Sequence, residues 1–213
     1  VGGSIAVVVA DKDYGASIGT GADLTGSSLA VSAINRRIDA GPDFDFSNLD
    51  DLDAFSDLLE DLATQKLLGN SNYYVEAIGG AGGSGVAVQG SFGVMVFSDT
   101  LKSTVGDGAQ IDVGTGAFVL SADGDYVAKA LSGALSASTS SAAVGVSASV
   151  IVSDGETLSD LGDNVLISSA GSFVNTARAA QDIRVYAASA SAASSAGVSG
   201  VATVITSENE VEA

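Results

Sequence analysis

Ser4-Ile5-Ala6-Val7-Val8-Val9 is written again as Ser91-Phe92-Gly93-Val94-Met95-Val96, as Ser147-Ala148-Ser149-Val150-Ile151-Val152 and as Ser199-Gly200-Val201-Ala202-Thr203-Val204. The first three copies stay in step to Ile18-Gly19, Val105-Gly106 and Leu161-Gly162. A turn dipeptide follows each, Thr20-Gly21, Asp107-Gly108 or Asp163-Asn164, and then an apolar residue that opens the next strand, Ala22, Ala109 or Val165. Repetition on this scale marks a solenoid or array, in which no unit buries its apolar face alone and copies must stack. Arrays build rods and surfaces rather than one catalytic pocket.

The copies start 87, 56 and 52 residues apart. The first interval is long because Asn35 to Tyr74 has no counterpart later in the chain. The second segment of the period also recurs, as Leu29-Ala-Val-Ser-Ala33, Phe118-Val-Leu-Ser-Ala122 and Ile183-Arg-Val-Tyr-Ala187. A third, Gly/Ala/Ser-rich block runs over Ala77 to Gly90, Ala128 to Gly145 and Ala187 to Gly200. Each period therefore holds three strand-bearing segments. The chain begins and ends inside a repeat, so residues 1–213 read as a single β-solenoid segment of a longer array. At about 20 residues per coil and about 4.8 Å between coils, roughly 170 residues outside the insertion predict about eight or nine coils and a rod on the order of 40 Å.

The insertion, 35–74, is different in kind. Gly41-Pro42 breaks the chain, and Ser47 with Asp50 resembles a capping box. Leu49, Leu52, Phe55, Leu58, Leu59 and Leu62 then recur at three- and four-residue spacing, with Asp50, Asp51, Asp53, Asp57, Glu60 and Asp61 on the remaining surface. That spacing predicts an amphipathic, acidic helix over about 48–68, its apolar stripe laid against the solenoid. Acids at its start and Lys66 near its end suit the helix dipole.

Composition narrows the function. The chain has 27 Gly, one Pro, and no Cys, His or Trp, and hydrophobic residues make up 46%. Much of that share is Ala and Val, which suits a thin core of small and β-branched side chains. Val7-Val8-Val9 fits a strand buried on both faces, or one whose outer face is covered by a neighbour. Asp11-Lys12-Asp13-Tyr14-Gly15, Asp123-Gly124 and Asp154-Gly155 read as turns. The tracts Ser132–Ala143 and Ala187–Ala196 read as tightly packed β-coils, because the strands on either side repeat in register. The net charge of −18 repels nucleic acid and anionic lipid, so neither a nucleic-acid partner nor membrane insertion is expected. No apolar run reaches the roughly 18 residues of a spanning helix.

The absence of His and Cys removes Ser-His-Asp triads, thiol nucleophiles and the usual zinc sites. Gly79-Gly-Ala-Gly-Gly-Ser84 lacks the Lys-Ser/Thr of a phosphate loop and the Asp of calcium-binding nonapeptides, and reads as glycines where coils pack closely. Asp11 with Asp13, and Asp123 with Asp125, are the candidate calcium ligands, since Asp-x-Asp supplies hard oxygens; solvated acidic turns are the alternative. No catalytic residue and no cofactor is assigned. Carboxylate pairs for glycan cleavage stay open among 26 acids, but such a site also needs Lys or Arg converging on one groove. Arg36-Arg37, at the insertion boundary, is expected to pair with the acidic helix.

Val1-Gly-Gly-Ser-Ile-Ala-Val-Val-Val9, Gly15-Ala-Ser-Ile-Gly-Thr-Gly-Ala22 and Leu29-Ala-Val-Ser-Ala33 together resemble the passenger repeats of giant bacterial surface proteins, the filamentous-haemagglutinin-like and leukotoxin-type filamentous adhesins. The resemblance covers most of the chain outside 35–74. Val8 stands where that family often has Asn. A weaker likeness joins Gly85-Val-Ala-Val-Gln-Gly90 to the heads of trimeric autotransporters, whose short recurrence this chain lacks. The first resemblance implies a right-handed parallel β-helix, exported to the cell surface and used for adhesion or as a stalk, and offers no catalytic residues. The expected function is thus structural and non-enzymatic: an extracellular fibre or adhesin segment, with a host or neighbouring-cell surface or glycan as partner. A carbohydrate-active β-helix, of lyase or hydrolase type, is the alternative. End-to-end self-association through open strand edges is the third expectation.

Overall fold

The computed structural model describes residues 1–37 and 71–213. Eleven strands run through them. β1 (Gly2–Ile18), β2 (Asp23–Thr25), β3 (Leu29–Asn35) and β4 (Tyr73–Gly83) make the first coil. β5 (Ala87–Val105), β6 (Gln110–Asp112) and β7 (Ala117–Ser138) make the second, and β8 (Ala142–Leu161), β9 (Leu166–Ser169) and β10 (Ser172–Ala193) the third. β11 (Ala196–Glu212) opens a fourth. Every pairing is parallel. One long sheet has the order β1-β5-β8-β11; a second stacks β10 on β7 and β7 on both β3 and β4; a short third sheet, β2-β6-β9, closes one end. This is a parallel β-solenoid.

The repeat in the sequence is the register of the sheet. Ser4 lies beside Ser91 and Ser91 beside Ser147. The fourth copy is displaced: Val201, not Ser199, lies beside Ser147. A two-residue slip keeps each side chain on its own face, so the alternation of the sequence does not detect it. The second block needs a larger correction. Phe118 stacks on Leu29 and Phe173, whereas Ile183 stacks on Ala128.

The coil length also differs from the expectation. One period is one coil, so the described residues make three coils and begin a fourth, instead of eight or nine short ones. The long strands reach 22 residues in β7 and β10, a contour on the order of 70 Å at about 3.3 Å per residue. Three coils rise only about 15 Å at the ordinary inter-strand spacing. The described residues form a broad flat slab.

Three of the expected turns are strand. Asp11 to Gly15 lies inside β1, Asp123-Gly124 inside β7, and Asp154-Gly155 inside β8. Their turn propensity yields to the ladder, which gives the backbone of each strand partners in the coils beside it. The turns after β1, β5 and β8 form as the sequence indicates. Gly21, Gly108 and Asn164 adopt left-handed φ of 67°, 68° and 58°, a region open to glycine and tolerated by asparagine. The corners hydrogen-bond to one another: Gly21 N donates to Asp107 O and Gly108 N to Asp163 O, each at 2.8 Å.

The two long sheets face each other across the core. Near the short sheet, Val105, Ile111, Phe118 and Leu120 pack together; toward the middle, Tyr73, Met95, Phe97 and Tyr126 do. Tyr73 stacks on Phe97 at 4.3 Å between centroids. At the far end the sheets converge, which explains the Ala/Ser/Gly tracts as β-structure. A Cβ on Gly145 would sit 2.9 Å from the Ala190 carbonyl oxygen. Ser147 Oγ donates across to Ala188 O at 3.0 Å, and a Cβ on Gly79 would run into the Gln89 amide.

The insertion leaves the solenoid at one point. β3 and β4 together match the single strand β7: Asn35 pairs with Gly124, and Tyr73 with Ala128. Residues 36–72 thus stand where the second coil has only Asp125, Tyr126 and Val127. The expected helix over 48–68 lies outside the described residues.

Candidate functional site

The described interior holds a buried polar cluster. Asp99 points inward from β5 and is 1% exposed. It accepts from Asn35 Nδ2 at 2.8 Å. The Tyr73 hydroxyl faces the same carboxylate without closing a full hydrogen bond. Lys12, which is beside Asp99 in the register, rests over the Tyr73 ring at 4.1 Å. Burial holds the Asp99 pKa above the ordinary carboxylate value, against the lowering influence of Tyr73, Lys12 and Asn35. Burial first, and the Asp99 charge second, raise Tyr73. The cluster sits where residues 36–72 branch off. Asn72 completes it: its backbone N donates to Val127 O at 2.9 Å and its Nδ2 to Arg36 O at 3.2 Å. These contacts tie the two ends of the insertion to the frame.

The candidate calcium ligands fall on two different sheets. Asp11 and Asp13 lie at alternate outward positions of β1. The same outward rows carry Asp154 and Glu156 on β8, and Glu208 and Glu210 on β11. A trough of about 220 Å³ runs among the β8 and β11 acids, Ser98 and Thr100. Lys102 reaches Glu156 at 2.9 Å. Among the described residues, no three acids come close enough together to hold a metal ion.

Asp123 and Asp125 lie on the outside of β7. A groove of about 360 Å³ there is lined by Asn35, Arg36, Arg37, Asp123, Asp125 and Arg178. Arg178 approaches Asp123 at 3.5 Å. Arg37 pairs with Asp182 at 2.5 Å, and Arg184 grips the same carboxylate at 2.8 Å. These arginines, Arg184 first, hold Asp182 below the usual carboxylate range. Arg37 thus has a solenoid carboxylate as partner.

Sequence reasoning missed the feature that dominates the other end of the slab. The outer side of the β1-β5-β8-β11 sheet is apolar over half its length. Ile5, Phe92, Ala148 and Ala202 form one row across the coils; Val7, Val94, Val150 and Val204 form the next; Val9, Val96, Val152 and Thr206 form a third. Val7 and Val9 are 61% and 75% exposed, while Val8 points into the core. The run Val7-Val8-Val9 is therefore buried on one face only. Gly3 and Gly90 leave a trough of about 420 Å³ beside Ile5, Phe92 and Val146.

No family model matches the chain, and neither does any curated protein or solved structure.

Proposed function

We propose that this chain is a non-enzymatic segment of an extracellular β-helical fibre or bacterial surface adhesin, acting by rigid extension and display. The observation that carries the reading is the parallel ladder β1-β5-β8-β11, in which successive coils pair residue by residue over 17 or more positions per strand. Such a body gains length by adding coils and presents side chains in straight rows on a stiff surface. A right-handed turn is what the resemblance implies. The insertion, read as an acidic helix over about 48–68, is the segment that varies from the repeat, and insertions of this kind carry specific contacts in arrays. Partners of this reading are a host or neighbouring-cell surface, a glycan, or another copy stacked end to end. Calcium at Asp11/Asp13 or Asp123/Asp125 is a further element of it.

The test is binding of the fluorescently labelled chain to intact cells and to an array of extracellular glycans. Saturable binding without turnover supports display. Turnover of any polysaccharide overturns it.

One observation favours a second reading, a carbohydrate-active β-helix. The groove on β7 brings the guanidinium groups of Arg36, Arg37 and Arg178 together with the carboxylates of Asp123 and Asp125, cations that can bind the carboxylates of an acidic glycan beside carboxylates of the kind glycan cleavage uses. Thermal stabilisation by a polyuronate, lost in Arg178→Ala, supports this reading; no shift with any acidic glycan removes it.

A further inference from the structure

We infer that the apolar outer half of the β1-β5-β8-β11 sheet is a docking surface for a second copy of this chain, packed face to face with the strands of the two sheets antiparallel. The inference is independent of the display reading, since a monomeric solenoid serves display equally well.

The first support is size. The apolar rows cover four strands and, counting the row of Val88, Val144 and Val198 beyond the glycine trough, extend over five outward positions. At about 4.8 Å between strands and about 6.7 Å between successive outward positions, the patch is on the order of 600 Å². Free monomers rarely expose a contiguous apolar patch beyond a few hundred Å². Two such faces bury about 1,200 Å², the lower bound for a specific and stable protein pair. The surface is also flat and rich in β-branched residues, the chemistry with which sheets pack against sheets at about 10 Å.

The second support is charge, which selects the orientation in which a second copy can dock. The same sheet turns acidic along the strands, from Asp11 on β1 and Asp154 on β8 onward. An anionic membrane or acidic partner is repelled there. A two-fold axis parallel to the strands would lay acid on acid. A two-fold axis running across the strands, through the row of Phe92 and Ala148, lays apolar on apolar and carries the two acidic halves away to opposite ends. A self-complementary face of this kind is what an isologous dimer requires.

The third support is shape. In that arrangement, outward positions equidistant from the Phe92 row face each other. The trough left by Gly3 and Gly90 then faces Val7 and Val94 of the partner copy, so side chains meet gaps.

The experiment is sedimentation equilibrium of the 213-residue chain between 1 and roughly 100 µM, a span that brackets the affinity of a minimal interface. The expected result is a dimer that the double substitution Val7→Lys with Val96→Lys returns to monomer with an unchanged thermal melt. Single cysteines give an independent readout, because the chain has none of its own. Ala148→Cys, on the two-fold and facing its copy across about 10 Å, is expected to be joined into a covalent dimer by a short bis-maleimide, while Asp154→Cys stays monomeric. A wild-type chain that is monomeric throughout overturns the inference. So does association that survives both lysines, which would point to the strand edges, and so does cross-linking of Asp154→Cys as fast as Ala148→Cys. Binding to phosphatidylcholine vesicles in place of dimerisation overturns it as well.

Discussion

The side-chain amide of Asn35 donates to Asp99 Oδ2 at 2.8 Å, in the buried interior, across 64 positions of chain. Asn35 is the last residue of β3, and Asp99 belongs to the neighbouring coil's opposite sheet. The bond therefore fixes the point at which the insertion leaves the solenoid to the wall across the core. It does so at a cost, since a carboxylate is held away from water.

The first prediction concerns that cost. Asp99 has a raised folded-state pKa, with burial as the first cause. For an acid, a raised pKa means that the native state prefers the protonated form. The contribution of Asp99 to stability is thus full below the unfolded-state value and is lost as pH rises through the folded value. Asp99→Asn keeps an acceptor for Asn35 and removes the charge. The melting temperature of the variant should gain on wild type as pH rises above the ordinary carboxylate range, until Asp99 ionises in the folded state as well, read by circular dichroism melts between pH 4 and pH 8 at matched ionic strength. A constant gap across that range would show that the carboxylate is not penalised.

Asp182 has the opposite sign. Its pKa is lowered, first by the hydrogen bond from Arg184 and then, against burial, by the charges of Arg184 and Arg37. Its contribution is present above the unfolded-state value and lost as pH falls through the folded value. Asp182→Asn should destabilise at pH 7, by no more than about 1 kcal/mol because the pair is partly solvated, and should converge on wild type as pH falls below the ordinary carboxylate range in the same melts.

Coil spacing is set at the corners. A Cβ on Gly116 would overlap the Ser27 carbonyl oxygen of the coil beside it, whereas one on Gly108 meets open space but a left-handed φ. Gly108→Ala should cost about 1 kcal/mol through its backbone conformation alone. Gly116→Ala must push adjacent coils apart and should cost about 1–3 kcal/mol, as overpacking does. Denaturant titration of the two variants ranks them, and a Gly116→Ala no weaker than Gly108→Ala would contradict the close approach.

Residues 36–72 replace three residues of the next coil. Exchanging them for Asp-Tyr-Val, the sequence of 125–127, should fuse β3 and β4 into one strand matching β7. The β-type circular dichroism and a cooperative melt should persist. Loss of both would mean that the insertion is needed to close the first coil.

The net charge of −18 predicts that raising sodium chloride from low to moderate ionic strength increases the melting temperature by a few degrees, by screening self-repulsion. Calcium at matched ionic strength should add nothing to this if the Asp11/Asp13 and Asp123/Asp125 pairs are solvated. A calcium-specific gain that is lost in Asp11→Asn or Asp123→Asn would make them metal ligands.

The sequence was most legible where local chemistry is decisive. Gly21, Gly108 and Asn164 announce left-handed turns, and all three adopt them. Asp123-Gly124 and Asp154-Gly155 carry the same local signal and form strand, because neighbours in adjacent coils hydrogen-bond their backbone. The acidic outer rows were visible as residues but not as a strip, since Asp11, Asp154 and Glu208 meet only through the register. Asp99 gave no sequence signal: it is one acid of 26, and only the opposing sheet makes it interior.

The sequence by itself determined the repeat, the corner turns and the place of the insertion. Each of these follows from side-chain alternation or from backbone conformations that few residues tolerate. The tertiary structure decided that one period is one coil, that Phe173 rather than Ile183 stacks on Phe118, and which side of Val7-Val8-Val9 meets water. Those outcomes depend on contacts between residues more than fifty positions apart. An alternating pattern is blind to a two-residue slip, and a strand apolar on both sides does not say which face is the core until a second sheet closes over one of them.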